Sequence, residues 1–423
     1  MMIESWGRAK KSETTIVNSI KPSNLLVVGS KLSYGDSCLN TNGNLYINKN
    51  NNCILNFNPS EETIKAEAGI TFDALLKFLV PRGFFLPVTP GTKFITLGGA
   101  IANDIHGKNH HQDGNFGRWI KDLTLIKSNS VIVCSQAENS NLFKATIGGL
   151  GLTGYIKDCT FKIIKIKSAF IDTEVIKFRT VDDFFRINES SVNFRYTVAW
   201  IDCLSSKAAN GSLNGLYIRG NHSESGDLRV HKDPGLKIIP FNFPSWALNK
   251  FSVKIFNFLY FNKQLSRIKK MTSHYDPFFY PLDTIKAWNR IYGKAGLFQF
   301  QCVIPMNKAK PTLIELLRLI GESGQGSFLS VLKTFGPVPS EGFLSFPKEG
   351  ITLALDFSNL GEKTLDLLKK LYDLVEENDG KIYPAKDQIL DKEKFEKMYP
   401  ALNKFIKYTD PKFSSDWWKR VRN

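Results

Sequence analysis

Apolar and polar positions change period several times along this chain, and each change marks an element. LLVVGS at 25–30 is an apolar run that ends in Gly29, and NGNLYIN at 42–48 is a second run entered by a turn. The pattern over 14–57 therefore predicts short strands separated by turns. TIKAEAGI at 63–70 reads as another strand. TFDALLKFLVPRGF has helical spacing, with Thr71 placed as its N-cap and Pro81 and Gly83 as its stop. KDLTLIKSNSVIVCS predicts two strands, and the stretch from Asn141 to Ile166 a short helix, a glycine-rich turn and a long strand. From about 170 to 380 the texture changes. Strands such as GLFQFQCVIP and GITLALDF alternate with helices such as KPTLIELLRLIGESG and EKTLDLLKKLYDLVEENDG. The last part, from KIYPAKD onward, carries a helical pattern that ends in DWWKRVRN. Strands and helices mix without a regular βαβ period, which points to an α+β fold rather than a doubly wound sheet.

Composition bounds this picture. The chain has 423 residues, enough for two or three domains, and 42% hydrophobic residues, enough for a substantial core. No run of about 18 apolar residues is present to cross a membrane, and MMIESWGRAKKSE has no apolar centre, so it is not read as a signal peptide. Six cysteines, at 38, 53, 134, 159, 203 and 302, form no CxxC pair and no zinc spacing. Isolated thiols suit a reducing compartment. The formal net charge is +16, which suits an anionic partner: nucleic acid, a phosphorylated metabolite or an acidic lipid surface. One segment concentrates that charge. Residues 236–270 hold seven Lys or Arg, eight aromatics and no acid. Such interleaving suits an anionic membrane surface or single-stranded nucleic acid, and equally a lid whose aromatics pack on the protein.

The chemistry-bearing stretch is PGT at 90–92 followed by TLGGAIANDIHGKNHH at 96–111. Gly98, Gly99, Ala100 and Ala102 leave the backbone bare, so its amides can approach a pyrophosphate as an anion nest. The spacing is neither a dinucleotide fingerprint nor a P-loop. The cluster Gly148, Gly149, Gly151 and Gly154 offers a second close approach, and two tight turns would satisfy the same pattern. His106, His110 and His111 are not read as a metal site, because no HExxH accompanies them and Gly107 and Asn109 are poor helix formers. A histidine beside such a nest instead donates to an anion or a flavin ring. Gln299 and Gln301 alternate with Phe298 and Phe300, which puts both amides on one face, towards either a pocket or solvent. Lys386 follows an apolar strand and, from spacing alone, reads as an ordinary surface lysine.

A series of blocks in one order adds what spacing does not. LSYGD at 32–36, LPVTPGT at 86–92, LGGAIANDIHGKNHH at 97–111 and GGLGLTGYI at 148–156 are followed by YPLD at 280–283 and WNRIYGKAG at 288–296. QFQCVIP at 299–305, LKTFGP at 332–337, LSFP at 344–347 and YPAKD at 383–387 complete it. In these the chain resembles the decaprenylphosphoryl-β-D-ribose 2-oxidase family, of the vanillyl-alcohol-oxidase type, from about Gly29 to its end. The resemblance implies a two-domain flavoprotein: a split FAD-binding domain over 1–168 and 381–423, around a mixed α/β substrate domain with an antiparallel sheet over 169–380. It implies FAD-dependent oxidation of the 2′-hydroxyl of a polyprenyl-phospho-ribose to the 2′-keto sugar. A short-chain NAD(P)H-dependent reductase partner would complete epimerisation to the arabinose form, a precursor for cell-wall arabinan. The alternative on the same fold is an FAD-dependent oxidase of a soluble sugar alcohol or aldonolactone. A third reading, a basic membrane-surface or nucleic-acid-binding module without catalysis, sits poorly with Lys386 and His106 in place. The resemblance places the chain in the cytoplasm, in peripheral contact with the inner, anionic face of the membrane.

The same resemblance implies the site. Lys386, His106 and Tyr34 would be catalytic. Gly29, Ser33, Tyr34 and Gly35 would meet FAD from the first loop, and Pro90, Gly91, Thr92, Thr96, Leu97, Gly98 and Gly99 from the second. Asn103, Asp104, Ile105, His106 and Gly107 would continue that wall, with Ile156 and Tyr383 completing it. Lys108, Trp200, Tyr280, Arg290, Gln299, Gln301, Lys333 and Lys386 would line the sugar-phosphate pocket. Tyr34 stands where relatives with covalent flavin carry histidine, which implies non-covalent FAD. Lys31 stands where a glycine is usual, Asn103 replaces a cysteine, and Thr352 and Ala354 replace an Asn and a Cys.

Overall fold

Alternation dominates the architecture. The computed structural model describes residues 1–204, 211–231, 237–244 and 246–422. Its largest sheet has eight antiparallel strands, in the order Ile268–His274, Phe170–Thr180, Ser212–His222, Tyr196–Ile201, Ser330–Phe335, Gly350–Ser358, Leu297–Pro305 and Lys381–Ile382. A five-stranded antiparallel sheet runs Val131–Ser135, Ile120–Ile126, Tyr155–Lys162, Thr63–Glu67 and Ile54–Asn58. A small parallel sheet joins Thr15–Val17, Asn44–Ile47 and Leu25–Val28. This mixture of helices with mainly antiparallel sheets agrees with the α+β expectation. Lys381–Ile382, which follows helix Glu362–Glu377, is the last strand of the large sheet.

Period 2 assigns the two faces of that sheet to different tasks. Phe300, Cys302, Leu353 and Leu355 point to a core shared with helices Ala309–Ser323 and Glu362–Glu377, through Leu313, Leu316, Leu371 and Val375. Each fully buried Leu or Phe there contributes about 1.5–3 kcal/mol relative to exposure, enough to hold the sheet flat against the helices. The intervening positions, Gln299, Gln301, Thr352, Asp356 and Lys333, line a cavity on the opposite face. A second core, with Phe72, Leu76, Phe116, Leu123 and Phe161 at its centre, lies against the five-stranded sheet.

Helix Phe72–Leu79 begins where the pattern put it, with Thr71 Oγ1 accepting from the Ala74 amide at 3.2 Å. The bare-backbone stretch at 96–103 takes a form that composition concealed. It is a short helix, Leu97–Ala102, capped by Thr96, whose Oγ1 accepts from the Gly99 amide at 3.2 Å. Gly98 stands in it because a neighbour presses close: a Cβ there would stand 3.0 Å from the Ala68 Cβ. Among the described residues no helix is long and apolar enough to cross a membrane, and no cluster of ligating side chains could hold a metal.

Candidate active site

A cavity of about 660 Å³ runs between the small sheet and the face of the large one. That is within the range of small-molecule and cofactor sites, roughly 300–1,000 Å³. One wall is the loop after Leu25–Val28, from Gly29 to Tyr34, and a second is the stretch from Pro90 to Thr92 with Thr96, Gly98, Gly99, Asn103, Ile105 and His106. Leu150, Gly151, Gly154, Tyr155 and Ile156 close one end. Gln299, Gln301, Lys333, Thr352, Asp356, Tyr383 and Lys386 form the floor of the other, with Ile285 and Trp288 at its outer side.

The floor is a consequence of register. Gln299 pairs with Asp356 and Gln301 with Ala354 across one ladder, and Lys333 pairs with Thr352 across the next. Side chains directly opposite one another on a face meet. Gln299 therefore donates through Nε2 to Asp356 Oδ1 and accepts through Oε1 from Lys386 Nζ. Lys386 Nζ also lies 4.6 Å above the Tyr34 ring. Lys333 Nζ donates to His106 Nδ1 at 3.1 Å and to the Gly107 carbonyl at 3.4 Å. That leaves the ring hydrogen on Nε2, 3.0 Å from the Gln301 amide, which accepts it when turned with its oxygen to the ring. The same Gln301 atom lies 3.2 Å from Thr352 Oγ1, whose hydroxyl donates to it in that orientation.

Burial sets the charges of this floor. It lowers the Lys386 ammonium to about 8, and lowers Lys333 to about 7 with help from the repulsion of Lys386 and Lys108. It raises the Asp356 carboxyl to about 6 against the hydrogen bond from Gln299. His106 is pushed well below its ordinary value, by burial first and then by Lys333, so the ring is neutral. Burial raises the Tyr34 phenol well above its ordinary value. Two amines poised near neutrality beside an acid and a neutral imidazole are a site built for proton movement.

The cavity fits a flavin dinucleotide on its own terms. Ser37, Asn103 and Asp356 line it, and their Oγ, Oδ1 and Oδ2 atoms are buried without a hydrogen-bond partner among the described residues. Buried polar atoms are normally paired, so these three at the cavity wall point to a bound group that completes it. Nothing lies within 4 Å of a Cβ built on Gly91, and that open space borders the cavity.

Several residues expected at the wall are instead packed around it. Leu97 is core. Asp104 is fully buried behind the cavity, accepting from the Gly117 amide at 2.8 Å and from Asn115 and Ser345, and burial raises it to about 7. Gly35 lets its loop cross the Asp387 carbonyl, which would sit 1.9 Å from a Cβ. Gly107 touches the Thr89 backbone and serves Lys333 through its carbonyl. The residues expected around the sugar-phosphate divide the same way. Lys108 donates to the Phe278 carbonyl and lies 4.4 Å over that ring, with burial lowering it to about 7. Tyr280 is buried against Thr89, oxygen to oxygen 2.6 Å. Trp200 donates to the Phe328 carbonyl at 3.0 Å and packs on Phe261. Arg290 fastens the carbonyls of Ile239 and Pro240 at 2.8 and 3.1 Å. Each finds its polar partner in the protein rather than in the cavity. Asp356 was missed by sequence reasoning, although its place on an alternating strand opposite Gln299 carried the signal.

Comparison with known proteins agrees with this geometry. The family model described as an FAD binding domain matches residues 16–136. A decaprenylphosphoryl-β-D-ribose oxidase of Mycolicibacterium smegmatis is 30% identical over 99% of this chain and 96% of its own. A D-lactate dehydrogenase of Anaerostipes hadrus is 25% identical over 31% of this chain and 29% of its own. A D-arabinono-1,4-lactone oxidase of Kluyveromyces lactis is 25% identical over 37% of this chain and 30% of its own. A likeness that spans nearly the whole of two chains, joined to a cofactor-sized cavity walled by the matched FAD-binding region, places the protein in the decaprenylphosphoryl-β-D-ribose oxidase family, FAD-dependent oxidoreductases of the vanillyl-alcohol-oxidase type that act on CH–OH groups.

Proposed function

We propose that this enzyme oxidises the 2′-hydroxyl of a polyprenyl-phospho-ribose to the 2′-keto sugar. A short-chain NAD(P)H-dependent reductase would then reduce the ketone from the other face to give the arabinose epimer. The observation that carries the reading is the array Lys386–Gln299–Asp356 on the cavity floor, beside Lys333 and His106. In this reading the chain works in two parts: 1–168 with 381–423 around FAD, and 169–380 around the sugar. Tyr34, which lies under Lys386, contributes to a non-covalent flavin site.

Bound FAD supplies the two-electron acceptor for the carbinol hydrogen. The residues handle the proton and the substrate's position. Lys386, neutral above about 8, takes the hydroxyl proton as the C–O bond gains double-bond character. Gln299 fixes the amine by accepting one of its hydrogens, and is itself fixed by Asp356. Lys333, which hydrogen-bonds His106, offers its remaining N–H donors to the sugar oxygens.

The test is an anaerobic titration of the yellow protein with candidate substrates, read as bleaching of the flavin absorbance. Bleaching by a lipid-linked phosphoribose, and none by free sugar alcohols or aldonolactones, supports the reading. Bleaching by a free aldonolactone at lower concentration would replace it with the soluble-substrate alternative. Acid precipitation that leaves the yellow colour on the protein would overturn the non-covalent link.

A further inference from the structure

We propose that the outward face of helix Lys250–Asn262, with Phe241 and Trp246 before it and Leu265 after it, is a docking face for an anionic lipid bilayer, and that it holds the mouth of the cavity at the membrane surface. By composition the segment 236–270 suits a membrane, a lid or nucleic acid alike; Leu236 and Ser245 lie outside the described residues.

The helix is apolar on two opposite sides. Val253, Asn257 and Phe261 face inward, four residues apart. Phe261 packs with Trp200 and Leu216, and Asn257 Nδ2 donates to Asp202 Oδ1 at 2.7 Å. Phe251, Ile255, Phe258 and Leu259 follow the same helical spacing about half a turn away and face solvent. Phe251 is 73% exposed, Phe258 65%, Trp246 75% and Leu265 95%. The helix is already seated on the sheet by its inner side, and among the described residues nothing covers the outer stripe. The lid reading therefore does not account for Phe251, Ile255, Phe258 and Leu259. Monomeric proteins rarely expose a contiguous patch of this kind unless something binds it.

Charge selects the occupant. Lys254 and Lys263 flank the stripe on its two edges, and Lys250, Arg267 and Lys269 are exposed at its ends. No acid occurs between 237 and 270. A second copy would bring the same basic rim and a net charge of +16 against it, whereas acidic headgroups complement both. An apolar stripe between lysines is the pattern of a helix lying in the plane of the interface. Strands of nucleic acid would need bases stacked on these rings, but the rings are a helical stripe rather than a groove.

The face is continuous with the cavity. Phe256, at the edge of the stripe, meets the Phe328 ring at 5.5 Å, and the next residue, Leu329, is cavity wall. Lys237–Ile238 pair in parallel with Ile285–Lys286, which also line the cavity. Arg290, through the Ile239 and Pro240 carbonyls, ties the approach to Phe241 onto the same wall. A polyprenyl chain could then stay in the bilayer while its sugar-phosphate enters. That consequence rests on the substrate reading; the docking itself does not.

The experiment uses the full FAD-loaded chain and sedimentation with vesicles of phosphatidylglycerol mixed with phosphatidylcholine, compared with phosphatidylcholine alone. The expected result is strong partition onto the anionic vesicles and weak partition onto the neutral ones. Lys254→Gln with Lys263→Gln should lower that partition roughly tenfold or more, at about fivefold for each lysine near the surface. Phe251→Glu with Phe258→Glu should abolish it while flavin content stays unchanged, since neither side chain packs inward. Wild-type protein left in the supernatant, or a double glutamate variant that binds undiminished, overturns the proposal. So does a dimer in light scattering that this variant dissolves, because the occupant is then a second copy. Flavin bleaching by detergent-dispersed phosphosugar is read on the same samples: vesicle binding without bleaching keeps the docking face and removes only the sugar reading.

Discussion

Lys386 owes its usefulness to a conflict between its position and its charge. An ammonium in this floor loses its hydration and is repaid by only one nearby acid, Asp356, which burial itself raises to about 6. The amine therefore releases its proton near 8 rather than at the ordinary lysine value. The sign follows directly: a lowered value means a neutral, proton-accepting amine above about 8 and a charged one below it. The rate of flavin reduction by saturating substrate, measured anaerobically, should rise as pH passes about 8 and level off above it. Lys386→Ala should keep FAD and slow that step by roughly 10²–10⁴, the usual worth of a positioned base. Lys386→Arg should be equally slow, since guanidinium does not release its proton in this range. A flat pH profile in the wild type would show that another group takes the proton.

At the same scale, sequence was informative about alternation and silent about partners. Period 2 put Gln299 and Gln301 on one face, and the cavity is on that face. Nothing in the spacing of Lys108, Trp200, Tyr280 or Arg290 could show that backbone carbonyls or Thr89 would occupy their polar groups, because those contacts join residues far apart in the chain. Asp356 differs: alternation along its strand marked its face, and only its bond to Gln299, a strand away, was hidden.

Among the elements, the junction of strand Leu25–Val28 with helix Leu97–Ala102 governs the cofactor cavity. The strand ends on Gly29, and a Cβ there would lie 2.0 Å from Thr96 Oγ1. Thr96 cannot move aside without releasing the Gly99 amide it caps. Gly29→Ala should therefore cost about 1 kcal/mol for the cap and a further 1–3 kcal/mol for overpacking, and should weaken FAD binding at least tenfold by fluorescence quenching. Gly91→Ala is the counterpart: with open space around its Cβ, it should leave thermal stability unchanged. A loss of FAD affinity in that variant would mark the space as ligand volume. Equal FAD affinity in Gly29→Ala and wild type would mean that this junction does not shape the site. This helix was illegible in the sequence because two glycines and a short length argue against one. The amphipathic helices Ala309–Ser323 and Glu362–Glu377 and the strands Leu297–Pro305 and Gly350–Ser358 were legible from their repeating periods, whereas helix Lys250–Asn262, apolar on two sides, was not.

In the whole molecule, the two ends of the chain meet behind the active lysine. Helix Asp416–Arg422 carries Arg420, which makes paired bonds to Asp36 at 2.8 and 2.9 Å and a third to Asp387 at 3.0 Å. Asp387 adjoins Lys386 in sequence and also receives Trp417 Nε1 at 3.2 Å and the Tyr372 hydroxyl at 3.0 Å. Asp36 ends the SYGD loop that carries Tyr34, whose amide donates to the Ala385 carbonyl at 3.3 Å. Arg420 thus sets the distance between the loop under the flavin cavity and the turn that presents Lys386. It touches no cavity atom, so it is a positioning residue. Arg420→Ala strands two buried carboxylates, which typically costs about 3–5 kcal/mol, visible as a lower urea midpoint. Arg420→Lys keeps the charge but loses the fork that holds both acids at once. In that variant FAD content should hold while flavin reduction slows at substrate saturation, because Lys386 is no longer held against Gln299. A drop in stability with an unchanged reduction rate would reduce Arg420 to a structural clamp, and the coupling from the chain's end to its lysine would have to be abandoned.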